Sequence, residues 1–176
     1  MENKDFITLA SERFSVRKYS DTPVSADDID LILQAGRLAP TAKNLQPQRI
    51  IAVTETAGRE KIDKAARTYG APCLFLVCAD RDEAWKRPFD NKCSAETDAA
   101  IVTCHMMLQA ADLGLESVWI CMFDPDIIKE EFDLPENIEP MNILAVGYED
   151  DSADSTKRPK QRKPLHETAQ FEQYRF

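Results

Sequence analysis

Between Ser25 and Pro40 the apolar positions Ile29, Ile32, Leu33, Gly36 and Ala39 recur three and four residues apart, which places them on one face of a helix. Ser25 stands where an N-cap belongs, Asp28 completes a capping-box pattern, and Pro40 stops the run. A shorter helix is predicted from Phe6 to about Ser11, and another from Glu55 to Tyr69. Thr41 to Gln48 reads as a polar loop that contains Pro47. The β-branched run from Arg49 to Thr54 predicts a strand. The unbroken apolar run from Cys73 to Ala79 predicts a second strand, one covered on both faces. Arg81 to Lys92 is charged, contains Pro88, and reads as a loop or a short surface helix.

The longest helix is predicted from Ser94 to Leu113. Thr97, Ile101, Cys104, Leu108 and Ala111 form an apolar stripe, and Ala100, Val102, Met106, Met107 and Ala110 fill most of the remaining surface. A helix apolar nearly all round is expected in a core or against a second subunit. Gly114 is placed to end it, and a strand follows from Ser117 to Cys121. Asp124 with Pro125 in the first turn opens another helix, and Asn142 to Tyr148 is the last strand. Helices and strands alternating in this way predict a three-layer α/β or α+β arrangement.

Composition narrows the function more than the fold. The chain has 176 residues, 43% hydrophobic and 30% charged, as expected for one globular domain spanning 1–176. The formal charge of −9 argues against a nucleic-acid or anionic-membrane partner. No apolar run has the length of a membrane span, and the opening MENKDF does not read as a signal peptide. The five cysteines are odd in number and include no CxxC pair, so reduced thiols in the cytoplasm are expected, with no zinc or other metal site. The five glycines are too widely spaced for a GxGxxG or P-loop turn, so a nucleotide would have to be held another way.

Two basic clusters supply that alternative. Arg13, Arg17 and Lys18 surround Ser15, and Lys157 to Lys163 holds five cations in seven residues. Two cations and a hydroxyl can bind a phosphate without a glycine loop. Taken alone, each cluster reads first as solvated surface, and the second could equally be a weak nucleic-acid patch. The loop Pro40-Thr41-Ala42-Lys43-Asn44-Leu45-Gln46-Pro47 suits hydrogen bonds to a planar heterocycle, and it also suits an ordinary helix-to-strand connection. Trp85 and Trp119 read first as core or interface, His105 as structural and His166 as exposed. Cys121 reads as a buried, inert thiol, because no histidine stands in a supporting position. No Ser-His-Asp or Cys-His set is present, and no catalytic side chain is assigned.

In order along the chain, ERFSVRKY, LAPTAKNLQPQR, ETDAAI with LGLESVWI, and KQRKPLHE together resemble the nitroreductase family of FMN-dependent oxidoreductases. The resemblance covers essentially the whole chain. It implies a three-layer fold with a central mixed β-sheet flanked by helices, and an intertwined homodimer with FMN bound at its interface. Carried over by position, Arg13, Phe14, Ser15 and Arg17 would hold the flavin phosphate and the pyrimidine edge. Lys160 and Arg162, in a basic tail spanning 155–176, would complete the phosphate site or the dimer. Pro40, Thr41, Asn44 and Gln46 would reach the same flavin from the other subunit. Trp119, Ile120, Cys121 and Met122 would pass along the isoalloxazine, and Lys64 and Arg67 are candidates for a further contact. The implied reaction is ping-pong hydride transfer through flavin N5, from NADH or NADPH to a small-molecule acceptor such as a nitroaromatic or quinone. The alternatives are a flavin-binding module without NAD(P)H turnover, or a specialised dehalogenase or flavin-destructase relative.

Overall fold

The computed structural model describes residues 5–152 and 161–174. Helix α1 (Phe6–Glu12) leads through an extended segment to α2 (Ala26–Leu38). A 3-10 turn (Ala42–Asn44) then precedes strand β1 (Gln48–Val53), helix α3 (Thr56–Asp63) and strand β2 (Cys73–Asp80). Helix α4 (Ala95–Asp112), strand β3 (Glu116–Ile120), helix α5 (Pro125–Glu131) and strand β4 (Ile138–Gly147) complete the order, and a second 3-10 turn lies at Leu165–Glu167.

The caps behave as their chemistry requires. The Ser25 hydroxyl accepts from the Asp28 N–H at 3.1 Å and donates to its carboxylate at 2.7 Å. Asp124 caps α5 through the N–H groups of Asp126 and Ile127, with Pro125 in the first turn. Gly114, at a φ of 77°, closes α4, and the Leu115 N–H returns to the Ala110 carbonyl at 2.9 Å.

The strands form one sheet in the order β1-β2-β4-β3, and every pairing is antiparallel. A single parallel bridge, Ser15 to Ser117, adds the N-terminal segment beside β3. Strand β4 carries Pro140, which has no N–H to give. The register slips there, so that Val77 faces Asn142 while Cys78 faces Pro140.

The sheet separates two cores. Leu74, Leu76 and Cys78 of β2 face α3 and α5, whereas Cys73, Phe75 and Val77 face α2 and α4. Every residue of β2 is buried, as its unbroken apolar run implies. Gly36 brings α2 close to α4, since a Cβ there would lie 2.9 Å from the Met106 side chain.

Three expectations change. The helix read through Tyr69 stops at Asp63, because Ala66 pairs with Phe123 and Tyr69 and Gly70 both adopt positive φ. Strand β3 ends at Ile120, which leaves Cys121 exposed rather than buried. On α4 the face in the core is Ala99, Val102, Thr103, Met106 and Ala110. The stripe of Ile101, Cys104, Leu108 and Ala111 is only partly buried, and Thr97 is exposed. Thr103 reaches the core face by donating to the Asn142 side chain at 2.9 Å.

Candidate functional site

The segment from Arg13 to Arg17 is extended and lies along β3, with the Val16 N–H on the Ser117 carbonyl at 3.1 Å. Alternation along it sends Phe14 and Val16 into the core and turns Arg13, Ser15 and Arg17 the other way. The two guanidiniums meet at the serine: Arg13 Nη1 lies 3.5 Å from its Oγ, and Arg17 Nη1 donates to its carbonyl at 3.3 Å. Lys18, the third cation of the cluster, is drawn away. Its ammonium pairs with Asp150 at 3.2 Å and bonds the Ser152 hydroxyl. Ser152 and Lys18 together hold the Asp150 carboxyl down to about 2. Tyr19 is buried, and its hydroxyl donates to the Ala145 carbonyl at 3.3 Å; burial pushes its pKa well up.

At the end of β3 is an open groove of about 1210 Å³. Lys64, Arg67 and Tyr69 line one side, and Ile120, Met122 and Pro125 line the other. The loop on the first side is fixed rather than frayed. The Asp124 N–H donates to the Ala65 carbonyl at 3.0 Å, the Thr68 hydroxyl bonds the Asp63 carboxylate, and the Arg67 guanidinium lies 5.1 Å from the Tyr69 ring centre. Lys64 is tied to Glu131 at 2.5 Å. Met122 is 91% exposed at the rim. The arginine segment runs parallel to β3 from the Ser15–Ser117 bridge, and β3 carries Ile120 at its end into the groove wall. Of the expected strand residues, Ile120 and Met122 line the groove. Trp119 does not, because alternation along β3 turns it from the face that Val118 and Ile120 share.

The loop from Pro40 to Pro47 is wound tightly. Lys43, Asn44 and Gln46 all have positive φ, an arrangement that needs strong local support in residues with a Cβ. The Thr41 hydroxyl accepts from the Gln46 N–H at 3.0 Å, and the Gln46 side-chain amide donates to the Asn44 carbonyl at 3.1 Å. The Ala42 N–H donates to Asp98, a carboxylate only 2% exposed in the first turn of α4. Pattern reading passes over Asp98, because an acid at the start of a helix reads simply as a dipole partner.

These two sets of candidates do not come together within one chain. Arg13 shares a small cavity with Ala111 and Gly114 at the far end of α4, whereas the Thr41 loop is anchored at Asp98. At about 1.5 Å per residue, those anchors lie about 20 Å apart along the helix. Arg162 is exposed and donates to its neighbour, the Gln161 carbonyl, at 3.1 Å, and Lys160 lies outside the described residues. Residues 161–174 are exposed throughout, including Leu165, Phe171 and Tyr174.

Two buried polar atoms on the β3 edge, Ser117 Oγ and Trp119 Nε1, have no hydrogen-bond partner among the described residues. Such groups are normally satisfied by a ligand, water or another chain. No cluster of side chains suited to a metal ion occurs among the described residues. All five cysteines are free, and burial pushes Cys73 and Cys78 up to about 12. His105 is exposed on α4, with Nδ1 2.9 Å from the Ile101 carbonyl. Among the described residues no helix is long and apolar enough to cross a membrane.

The sequence model of the nitroreductase family matches residues 10–69 and 64–148. The crystal structure of a nitroreductase family protein from Clostridium difficile 630 superposes with a TM-score of 0.92 at 49% identity, covering 97% of this chain and 100% of that one. A protein of Archaeoglobus fulgidus, whose name pairs NADH dehydrogenase with NAD(P)H nitroreductase, is 34% identical over 163 residues. That alignment spans 86% of this chain and 89% of the relative. An FMN-dependent nitroreductase from Clostridium difficile R20291 shares the fold with a TM-score of 0.77 at 25% identity, covering 96% of this chain and 100% of its own.

Proposed function

The chain belongs to the nitroreductase family, and from that premise we propose that it is an FMN-dependent oxidoreductase that passes electrons from NAD(P)H to a small acceptor such as a nitroaromatic or quinone. The observation that carries this reading is the convergence of Arg13 and Arg17 on Ser15, on a segment parallel to the strand whose end lines a groove of about 1210 Å³. Two fixed guanidiniums and a hydroxyl match the charge and the acceptor oxygens of a phosphate monoester. The groove has room for a tricyclic ring, and the donor set therefore fits FMN.

FMN, when bound, supplies the hydride-transfer chemistry. The chain's own residues bind and orient it. Arg13 and Ser15 would take the phosphate, with Lys160 and Arg162 of the tail closing on its other side. Arg17 would place a fixed positive charge beside the pyrimidine edge, where negative charge collects on reduction. Ile120 would lie along the ring, and the backbone N–H of Cys121 or of Met122, just beyond β3, would lie near its N5. Phe14 anchors this segment from the core side. Since the flavin supplies the chemistry, no catalytic side chain is needed, and alternate use of one face by NAD(P)H and acceptor makes the kinetics ping-pong.

The working unit is a homodimer, and the separation of the two half-sites along α4 supports it. A second copy would bring its Pro40–Gln46 loop to the first copy's arginine segment. The Thr41 hydroxyl, which accepts from Gln46, keeps its own proton to donate; the Asn44 amide also stands on that loop. The partly buried stripe of Cys104, Leu108 and Ala111 gives the second copy a surface to cover. Residues 1–176 would then act as one domain, with the tail from 155 completing the cofactor site or strapping the partner. Five free thiols fit a cytoplasmic setting.

An absorption spectrum of the purified protein, before and after anaerobic NADH or NADPH, tests the reading. Flavin bands that bleach on addition are expected. Bands that persist would leave a flavin-binding module, and a colourless protein that also refuses added FMN would overturn the proposal.

A further inference from the structure

The loop between β2 and α4 is folded back on itself as a clip. The Ser94 N–H donates to the Trp85 carbonyl at 2.8 Å, Lys86 and Cys93 form a bridge, and the Arg87 N–H donates to the Lys92 carbonyl at 3.0 Å. The turn is closed by the Asn91 N–H on the Arg87 carbonyl at 2.8 Å, with Asn91 at positive φ. In such a ladder alternate residues share a face. Trp85 and Arg87 on one arm and Lys92 and Ser94 on the other therefore point the same way, and all four line a cavity of about 370 Å³. Ile101 of α4 and Ala42 complete the wall used below. Ala42 belongs to the loop assigned above to the partner's flavin, so on that reading the cavity would open beside that flavin.

The charges on this wall are the informative feature. Arg87 and Lys92 stand directly opposite each other, and like charges in that position destabilise a strand pair. Asp90 offsets one of the two charges: its two oxygens take Arg87 Nε at 2.7 Å and Nη2 at 2.5 Å, it accepts the Lys92 backbone N–H at 3.2 Å, and the Lys92 charge acts on it without a side-chain contact. The Lys92 ammonium makes no hydrogen bond or ion pair among the described residues. Asp98 also borders the cavity, but its oxygens are already taken by the Ala42 N–H at 2.8 Å and the Ser94 hydroxyl at 2.7 Å. The cavity thus has an apolar inner wall in Trp85 and Ile101, and in Lys92 a cation with no direct side-chain partner among the described residues. An anionic group suits the Lys92 side, away from Asp98, and a flat apolar ring suits the inner wall.

We propose that this cavity is the acceptor subsite and that it selects small aromatic acceptors bearing a carboxylate. Trp85 and Ile101 would hold the ring, and Lys92 would hold the carboxylate. The inference rests on the oxidoreductase reading for the word acceptor, and on the cavity alone for the ligand class.

The test is calorimetric titration of the protein as purified with 4-nitrobenzoate and with its neutral counterpart, 4-nitrobenzyl alcohol. The carboxylate is expected to bind about tenfold more tightly, as one charge-assisted contact implies. Lys92→Gln should bring that ratio to about one, while Lys86→Gln, on the opposite face of the clip, should leave it intact. Equal affinities in the unaltered protein, no binding of either probe, a ratio that survives Lys92→Gln, or an equal loss in Lys86→Gln would each overturn the proposal. Bleaching of the bound flavin by NAD(P)H is measured on the same samples. A Lys92-dependent preference without bleaching keeps the ligand class and removes the oxidoreductase reading, whereas bleaching without any carboxylate preference does the reverse.

Discussion

The Ala42 N–H donates to the Asp98 carboxylate at 2.8 Å, and this one bond ties the tightly wound Thr41 loop to the first turn of α4. Asp98 is almost fully buried, and its second oxygen accepts from the Ser94 hydroxyl at 2.7 Å. The carboxylate therefore fixes both the loop and the start of the helix that carries the proposed dimer surface.

Replacing Asp98 with Ala should leave the Ala42 N–H and the Ser94 hydroxyl without their acceptor. A loss of roughly 1.5–3 kcal/mol is expected, the range for hydrogen bonds to a charged group. Asp98→Asn keeps one carbonyl oxygen for Ala42 and should recover a large part of it. Urea denaturation measures the stability, and titration with FMN should show weaker binding in the Ala variant than in the Asn variant. Equal stability of all three proteins would mean that the loop holds its shape without Asp98.

The three cations around Ser15 should divide two to one. Arg13→Ala and Arg17→Ala should each weaken FMN binding by roughly 1.5–3 kcal/mol. Lys18→Ala should change it little, because Lys18 is committed to Asp150 and Ser152. Equal losses at all three positions, read by flavin fluorescence on titration, would indicate a diffuse electrostatic effect rather than a built phosphate site.

That division shows how far the sequence could be read. Arg13, Ser15 and Arg17 share a face because an extended chain alternates, which local spacing alone reveals. The fate of Lys18 depends on Asp150, far along the chain, and no local pattern contains it. Helix ends follow the same rule. Ser25, Gly114 and the Asp124-Pro125 pair mark their boundaries by their own chemistry. The end of α3 at Asp63 is set instead by the pairing of Ala66 with Phe123, and the residues from Lys64 to Thr68 carry no breaker to announce it. On α4 both sides are apolar, so only the sheet decides which is buried. It selects the side where Thr103 can reach Asn142. The tail remains legible only as composition, since Leu165, Phe171 and Tyr174 are exposed.

The half-buried stripe on α4 makes a direct prediction about assembly. Leu108→Lys places a charge in the middle of the proposed interface while leaving the core face of Val102, Met106 and Ala110 untouched. Burying an unpaired ammonium in an apolar interface is costly, so the variant should elute as a monomer and lose FMN together with its partner. Light scattering coupled to size exclusion gives the mass, and the absorption ratio of flavin to protein gives the occupancy. A monomeric variant that keeps full flavin would place the whole site within one chain.

Stability should also fall in alkali, by a route that the buried thiols define. Cys73 and Cys78 keep their protons up to about 12 in the folded protein, against an ordinary value of 9.0, and the buried Tyr19 hydroxyl is shifted in the same direction. Below pH 9 the folded and unfolded chains hold these protons equally, so the groups add no slope. Between pH 9 and 12 the unfolded chain releases protons that the folded chain retains, and stability declines as the pH rises. Urea midpoints measured across that interval should therefore drop. The double variant Cys73→Ala, Cys78→Ala starts from a lower stability, because two core side chains are trimmed, but its decline should be shallower. A decline of equal steepness in both proteins would assign the alkaline loss to other groups.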